Sequence, residues 1–219
     1  MKTFAVIPAF NESTRLAAVV SGALTHVDKV IVVDDGSNKS LQSLLPENEK
    51  VIFLRHPINL GKGAAMKTGV EAGLRLGAEI IVFLDGDGQH DPSEIPQLKE
   101  PIVSGRNDVV FGIRNFQKAM PFVSRLGNMF LTRMASLLFR IYIRDTQSGF
   151  RAFDIRTYPK LYWGSARYAV ETEMVVNAGK HHLRWTEVPI TTIYHDKYRG
   201  TTVLDGVRIF LNMIAWRLQ

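Results

Sequence analysis

The amino-acid sequence predicts an α/β protein with a mostly parallel sheet covered by helices on both sides, and three observations predict it. Short runs rich in Val, Ile and Phe alternate with longer helical patterns through residues 1–114. Those runs are apolar at nearly every position, the pattern of strands buried on both faces. The residues directly after them are polar and acidic, and open parallel sheets bind their ligands at those strand ends.

The elements follow in order. Phe4 to Phe10 reads as a first strand; its apolar run is too short for a secretory leader, and Asn11-Glu12 follows at once. Leu16 to Leu24 has helical spacing, Val30 to Val33 and Val51 to Leu54 are strands two and three, and Gly63 to Leu76 is a longer helix. Ile80 to Leu84 is a strand, Ile95 to Ser104 a helix and Val109 to Gly112 a strand. Beyond residue 115 come long apolar helical stretches carrying Arg, then Ile143 to Asp154, a helix around Val170 to His181, a strand Trp185 to Ile190 and a final helix from Val203. No repeat or linker composition marks a boundary, so residues 1–219 are expected to form a single domain with two halves, 1–114 and 115–219. No stretch reaches the roughly 18 uncharged apolar residues of a membrane-spanning helix.

With no cysteine in the chain, thiolate metal sites, disulfides and cysteine nucleophiles are excluded, so a metal must be held by oxygen or imidazole. The net charge of +6 suggests a polyanionic partner, but its distribution says more. Residues 1–100 carry 10 basic and 13 acidic side chains, a net of −3; residues 101–219 carry 17 and 8, a net of +9.

Asp85-Gly86-Asp87-Gly88-Gln89 is the strongest chemical signal. Two carboxylates at i and i+2 after a strand, with an amide oxygen at i+4, converge on one hard divalent cation, Mg²⁺ or Mn²⁺, and leave room for diphosphate oxygens. Asp34-Asp35-Gly36-Ser37 ends the second strand, where a carboxylate accepts hydrogen bonds from a base or ribose. Gly61-Lys62-Gly63 opens a helix and brings a cation and helix-terminal amides near phosphate. It lacks the spacing of a P-loop, and no Gly-x-Gly-x-x-Gly follows a strand, which disfavours a nucleoside triphosphatase and a dinucleotide oxidoreductase.

Taken in order, Pro8-Ala9-Phe10-Asn11-Glu12, Asp34-Asp35-Gly36-Ser37, Gly61-Lys62-Gly63, Asp85-Gly86-Asp87-Gly88-Gln89-His90-Asp91-Pro92 and Ser148-Gly149-Phe150-Arg151 resemble the motifs of glycosyltransferase family 2, most closely the dolichyl-phosphate mannose and glucose synthases. The resemblance implies a GT-A fold, a Rossmann-like nucleotide-diphospho-sugar transferase architecture, and an inverting, metal-dependent hexose transfer. Pro8, Ala9, Asn11, Glu12, Asp34 and Asp35 would line the nucleotide sugar together with Lys62. Asp85, Asp87 and Gln89 would hold the metal and diphosphate, with Gly86 standing where relatives often have Ala.

From Ala119 to Ile143 the only charges are Arg125, Arg133 and Arg140. On one continuous helix they fall within about 80° of each other. An apolar helix with an Arg stripe suits a membrane surface, with guanidinium groups directed at lipid phosphate, although a core helix with snorkelling Arg side chains gives the same pattern. The family resemblance favours the first and implies Arg114, Arg125 and Arg133 as ligands of the acceptor phosphate of a dolichyl or polyprenyl lipid. The final helix, ending in Trp216-Arg217, is similarly amphipathic. Lys197-Tyr198-Arg199-Gly200 resembles the basic loop that closes over the diphosphate in these synthases, which assigns Lys197 and Arg199 to the donor and places Asp87, Arg125 and Arg199 as the catalytic set.

The expectation is therefore a peripheral enzyme on the cytoplasmic face of a membrane, taking GDP- or UDP-linked mannose or glucose, with or without a membrane-anchoring subunit, and binding no nucleic acid. Transfer to a glycan hydroxyl is the alternative; it needs a base, and Asp145, Glu171 and Glu173 are the candidates. A non-catalytic basic module docking on anionic surfaces is a third reading. His90, His181, His182 and His195 have no metal-ligand spacing and read as structural.

Overall fold

A computed structural model of the protein describes residues 1–114, 122–166, 169–193 and 203–218, with only the backbone at 122–125, 128 and 203–205. The chain runs β1 (Thr3–Ala9), α1 (Leu16–Leu24), β2 (Lys29–Asp34), β3 (Val51–Arg55), α2 (Lys62–Arg75), β4 (Ile80–Phe83), α3 (Ile95–Val103) and β5 (Val109–Arg114). It continues through α4 (Phe122–Phe139), β6 (Arg151–Asp154), α5 (Tyr158–Leu161), α6 (Val170–Lys180), β7 (Trp185–Ile190) and α7 (Val203–Leu218). Seven strands form one sheet in the order β3-β2-β1-β4-β6-β5-β7. All pairings are parallel except those of β6, which is antiparallel to both β4 and β5.

The continuous apolar runs have a direct cause: successive residues supply opposite cores. Phe4, Val6, Ile31, Val33, Ile81 and Phe83 face one side, against buried residues of α2, α4, α6 and α7. Ala5, Ile7, Val30, Val32, Ile80 and Val82 face the other, against α1 and α3. An α/β layering with a mostly parallel sheet was expected, and this is what the chain forms.

Two departures from the sequence expectation matter. Only Arg151–Asp154 of the segment Ile143 to Asp154 is a strand, and it runs against its neighbours. Its first residues therefore lie at the sheet edge where β4 and β5 end. Secondly, α4 stops at Phe139, and Arg140 has left-handed backbone geometry (φ 55°), so it does not continue the helical Arg stripe.

The sheet order places a topological switch point between β1 and β4, from which the chain winds in opposite directions. Ala9 at the end of β1 and Asp85 just beyond β4 flank that point.

Candidate active site

The loop after β4 carries Asp85, Gly86, Asp87 and Gln89. Gly86 points toward the apolar side: a Cβ there would lie 3.2 Å from Leu16 Cδ1 and 3.5 Å from Ile7 Cγ2, so its position does not intrude on the carboxylates. Asp85 Oδ1 is 2.6 Å from Lys62 Nζ, which also reaches Glu171 Oε1 at 2.7 Å. Burial disfavours ionisation of Asp85, yet Lys62 holds its carboxyl below the ordinary value. Asp87 Oδ1 accepts a hydrogen bond from the backbone N–H of Gln89 at 3.0 Å. Burial and then the neighbouring Asp85 charge push its carboxyl upward, with Glu12 adding to the repulsion. An ionised Asp85 beside Asp87, whose carboxyl is pushed upward by burial and by that charge, offers the oxygen ligands that a hard divalent cation takes. Asp85, Asp87 and Gln89 are the residues that would hold it.

Lys62 is placed by the turn before α2. Gly61 caps the helix with φ 99°, a conformation open to glycine, and its N–H donates to Asp35 Oδ2 at 2.8 Å. Asp35 Oδ1 also accepts from Leu60 N–H at 3.0 Å and pairs with His56 Nδ1 at 2.7 Å, while His56 Nε2 meets Thr68 Oγ1 at 2.9 Å. Asp34 accepts from the backbone N–H of Ser37 at 2.9 Å and of Leu41 at 3.3 Å, beside Arg55. Both carboxylates are thus buried and turned to the backbone; they shape the wall behind the site. Gly36 permits this wall to close, since a Cβ there would meet Ile58 carbonyl carbon at 2.3 Å. Pro8 and Glu12 are half-buried and Asn11 is exposed, on the open side of the same edge. Asn11 ties the loops together, its N–H donating to Ser37 Oγ at 2.8 Å and its Oδ1 accepting from Asn38 N–H at 3.0 Å.

On the second half, Arg114 meets Asp145 through two parallel contacts, Nε to Oδ2 at 2.7 Å and Nη2 to Oδ1 at 3.0 Å. Asp145 is fully buried. Glu173 accepts from the N–H groups of Gly164 and Ser165 at 2.7 and 2.9 Å. Arg133 is exposed on α4. Arg125 lies on α4 with its side chain outside the described residues, as do Lys197, Arg199 and His195 altogether. The exposed large apolar residues of α4 and α7 lie at helical spacing, Leu126, Met129, Phe130 and Leu137 on α4 and Val207, Leu211, Ile214 and Leu218 on α7, with Arg208 and Arg217 exposed on α7 as well. The two helices meet through Phe130 and Phe210, whose ring centroids are 5.4 Å apart. Among the described residues no helix is long and apolar enough to cross a membrane.

Two residues gain roles that sequence reading did not assign them. Arg151 is buried, donates to Ser148 O at 2.8 Å and Thr146 O at 2.9 Å, reaches Glu171 O, and lies over the Phe111 ring. It knits the Ser148-Gly149-Phe150 turn to α6. Glu171 is the second partner of Lys62. An Arg directly beside the apolar pair Ala152-Phe153 was the available signal for the first; the second had none, because the pair is distant in sequence.

The model of the family described as glycosyl transferase family 2 matches residues 4–162. The UDP-N-acetylglucosamine–dolichyl-phosphate N-acetylglucosaminyltransferase of Methanococcus voltae is 34% identical over 98% of this chain and 96% of that protein. The polyprenol monophosphomannose synthase of Mycolicibacterium smegmatis is 26% identical over 95% of this chain and 83% of that protein. In three dimensions the chain is similar to glucosyl-3-phosphoglycerate synthase from Mycobacterium tuberculosis, solved with Mn²⁺, UDP and phosphoglyceric acid. The TM-score is 0.73 at 18% identity, covering 99% of this chain and 78% of that one. The sheet, the acidic turn beyond β4 and these similarities establish a GT-A fold, and the chain belongs to glycosyltransferase family 2.

Proposed function

We propose that the chain transfers a sugar from a nucleotide-sugar donor to a dolichyl or polyprenyl phosphate, with inversion and with a divalent cation, Mg²⁺ or Mn²⁺, at Asp85, Asp87 and Gln89. The observation that carries the lipid-phosphate acceptor is the fate of the three candidate bases. Asp145 is locked to Arg114, Glu171 to Lys62, and Glu173 to two backbone amides. A hydroxyl acceptor must lose its proton to a base as it attacks. A phosphate monoester, with a second pKa of about 6, arrives ionised and needs only placement and charge neutralisation. The names of the M. voltae and M. smegmatis relatives support the same acceptor class.

Residues 1–114 then form the donor half and 115–219 the acceptor half of a single domain. Pro8, Ala9, Asn11 and Glu12 line the nucleoside on the wall that Asp34 and Asp35 hold in shape. Lys62, Lys197 and Arg199 face the diphosphate. Arg125 and Arg133 receive the lipid phosphate, while Arg114 stays paired with Asp145 and contributes only its charge; the phosphate oxygen attacks the anomeric carbon opposite the leaving group, the bond to the diphosphate breaks and the nucleoside diphosphate departs with its electron pair. The cation supplies charge neutralisation for that leaving group. The outward stripes of α4 and α7, with Arg133 among them, seat the enzyme on the cytoplasmic face of a membrane, with or without an anchoring subunit. Mannose and glucose, from GDP or UDP, are the expected sugars, and the M. voltae relative adds N-acetylglucosamine to that set.

The test is incubation with Mn²⁺ or Mg²⁺, dolichyl phosphate and each labelled nucleotide sugar. An organic-extractable sugar lipid is expected, and its loss in Asp85→Asn and Asp87→Asn. No lipid product with any of these donors overturns the proposal.

A further inference from the structure

Lys62 occupies the carboxylate that a divalent cation would need. Its ammonium lies 2.6 Å from Asp85 and 2.7 Å from Glu171, with the side chain largely buried. The residue is held from both sides. Gly61 before it is tied to Asp35, and Gly63 after it packs under the 163–166 segment, its N–H donating to Ala166 O at 2.8 Å while its carbonyl accepts from Trp163 Nε1 at 2.9 Å. Burial works to lower the proton affinity of the ammonium, but the two carboxylates overcome it and raise it above the ordinary lysine value. The second oxygen of Asp85 is also confined, since Gly149 lies so close that a Cβ there would sit 2.6 Å from Oδ2.

An ammonium and a hard divalent cation compete for the same carboxylate lone pairs. Asp85 and Glu171 share the ammonium of Lys62, so a cation reaches Asp85 only by displacing the lysine from it. A diphosphate offers Lys62 an alternative anionic partner at the same place. We propose that Lys62 guards the metal turn, holding Asp85 until a nucleoside diphosphate draws the ammonium away, with Glu171 keeping it within reach. This rests on the reading of Asp85, Asp87 and Gln89 as the metal and diphosphate site. The consequence is synergy: the protein alone takes up the cation weakly, and cation and diphosphate tighten each other by the same factor.

Titration of the full chain with Mn²⁺ by calorimetry, without and with UDP or GDP, tests this in the wild type, Lys62→Met and Glu171→Gln, with folding checked by circular dichroism. Lys62→Met should bind Mn²⁺ alone about tenfold more tightly than the wild type, because a positive charge adjoining the cation is gone. The nucleotide should then tighten Mn²⁺ binding by a smaller factor than in the wild type. Glu171→Gln should bind Mn²⁺ alone more weakly, since its lysine is left to Asp85. If Lys62 were only a strut for Asp85, both variants would weaken Mn²⁺ binding, and that result overturns the proposal. Should Lys62→Met fail to fold, Lys62→Gln, which keeps a hydrogen-bond donor without the charge, decides: unchanged or weaker Mn²⁺ binding refutes the guard. A wild type that binds no Mn²⁺ with either nucleotide instead refutes the metal-site reading on which the guard rests.

Discussion

Replacing Gly149 by Ala probes the site with one methyl group. The added Cβ would stand 2.6 Å from Asp85 Oδ2, 3.0 Å from Lys62 Nζ and 3.1 Å from Asp85 Cγ. The backbone has little room to retreat, because Phe150 O accepts from Gly112 N–H at 2.9 Å and Ser148 O accepts from Arg151 Nε at 2.8 Å. Relief must come from the Asp85 side chain, whose oxygen has to withdraw by ~0.8 Å to reach ordinary contact near 3.4 Å. The atoms displaced are side-chain ends, so the stability cost sits at the low end of overpacking, about 1 kcal/mol. That corresponds to a Tm change of about 2–4 °C for a chain of this size. A misplacement of about 1 Å at a reacting centre costs roughly 100-fold in rate. The expected outcome is a drop in kcat/KM for sugar-lipid formation of about that size, with Tm lowered by only a few degrees. Wild-type turnover in a folded Gly149→Ala protein would refute the placement of Asp85 at the centre of the chemistry. A loss that merely tracks unfolding would refute the claim that the methyl acts locally.

Asp145→Asn should destabilise the protein by about 3 kcal/mol at neutral pH, because it leaves the Arg114 guanidinium without its buried counter-charge. Burial opposes ionisation of Asp145, but Arg114 holds its carboxyl below the ordinary 3.8, so its stabilisation is fully present above that pH and is lost as pH falls through the depressed folded-state value; the gap between the urea midpoints of wild type and variant should narrow as pH falls below 3.8, and a constant gap would contradict the assignment. Gly63→Ala should cost more stability than Gly149→Ala, since its Cβ would meet the backbone oxygen of Ser165 at 2.1 Å and no side chain can yield; equal Tm values would count against the packing of α2 under the 163–166 segment. Leu211→Asp, at a position 60% exposed, should leave Tm nearly unchanged while weakening sedimentation with anionic vesicles roughly tenfold or more, and unaltered vesicle binding would remove α7 from the membrane face.

Much of this molecule was legible in its sequence. Unbroken apolar runs such as Val30 to Val33 require burial on both faces, and only a covered sheet provides that, so the layering followed from local composition. The acidic turn at Asp85 was legible because both carboxylates sit within one loop beyond one strand. Arg140 misled, since helical periodicity continues through residues 119–143 while the backbone turns left-handed after Phe139. Asp34 and Asp35 read as open ligands because a carboxylate looks the same in sequence whether it faces solvent or a row of backbone amides.

The sequence by itself determined the layers, the strand-end position of the acidic motifs and the family. Tertiary structure alone decided which charges meet. The reversal of β6 sets Arg151 opposite Phe83 and Phe111 and brings Gly149 against Asp85. The return of α6 presents Glu171 to Lys62, and the chain after α4 delivers Asp145 to Arg114. Periodicity reports how far a segment is buried, which is a local property of its side chains. The sense of a strand and the partner of a buried ion depend instead on where distant segments return, and a carboxylate's chemistry is set by the cation it finds there.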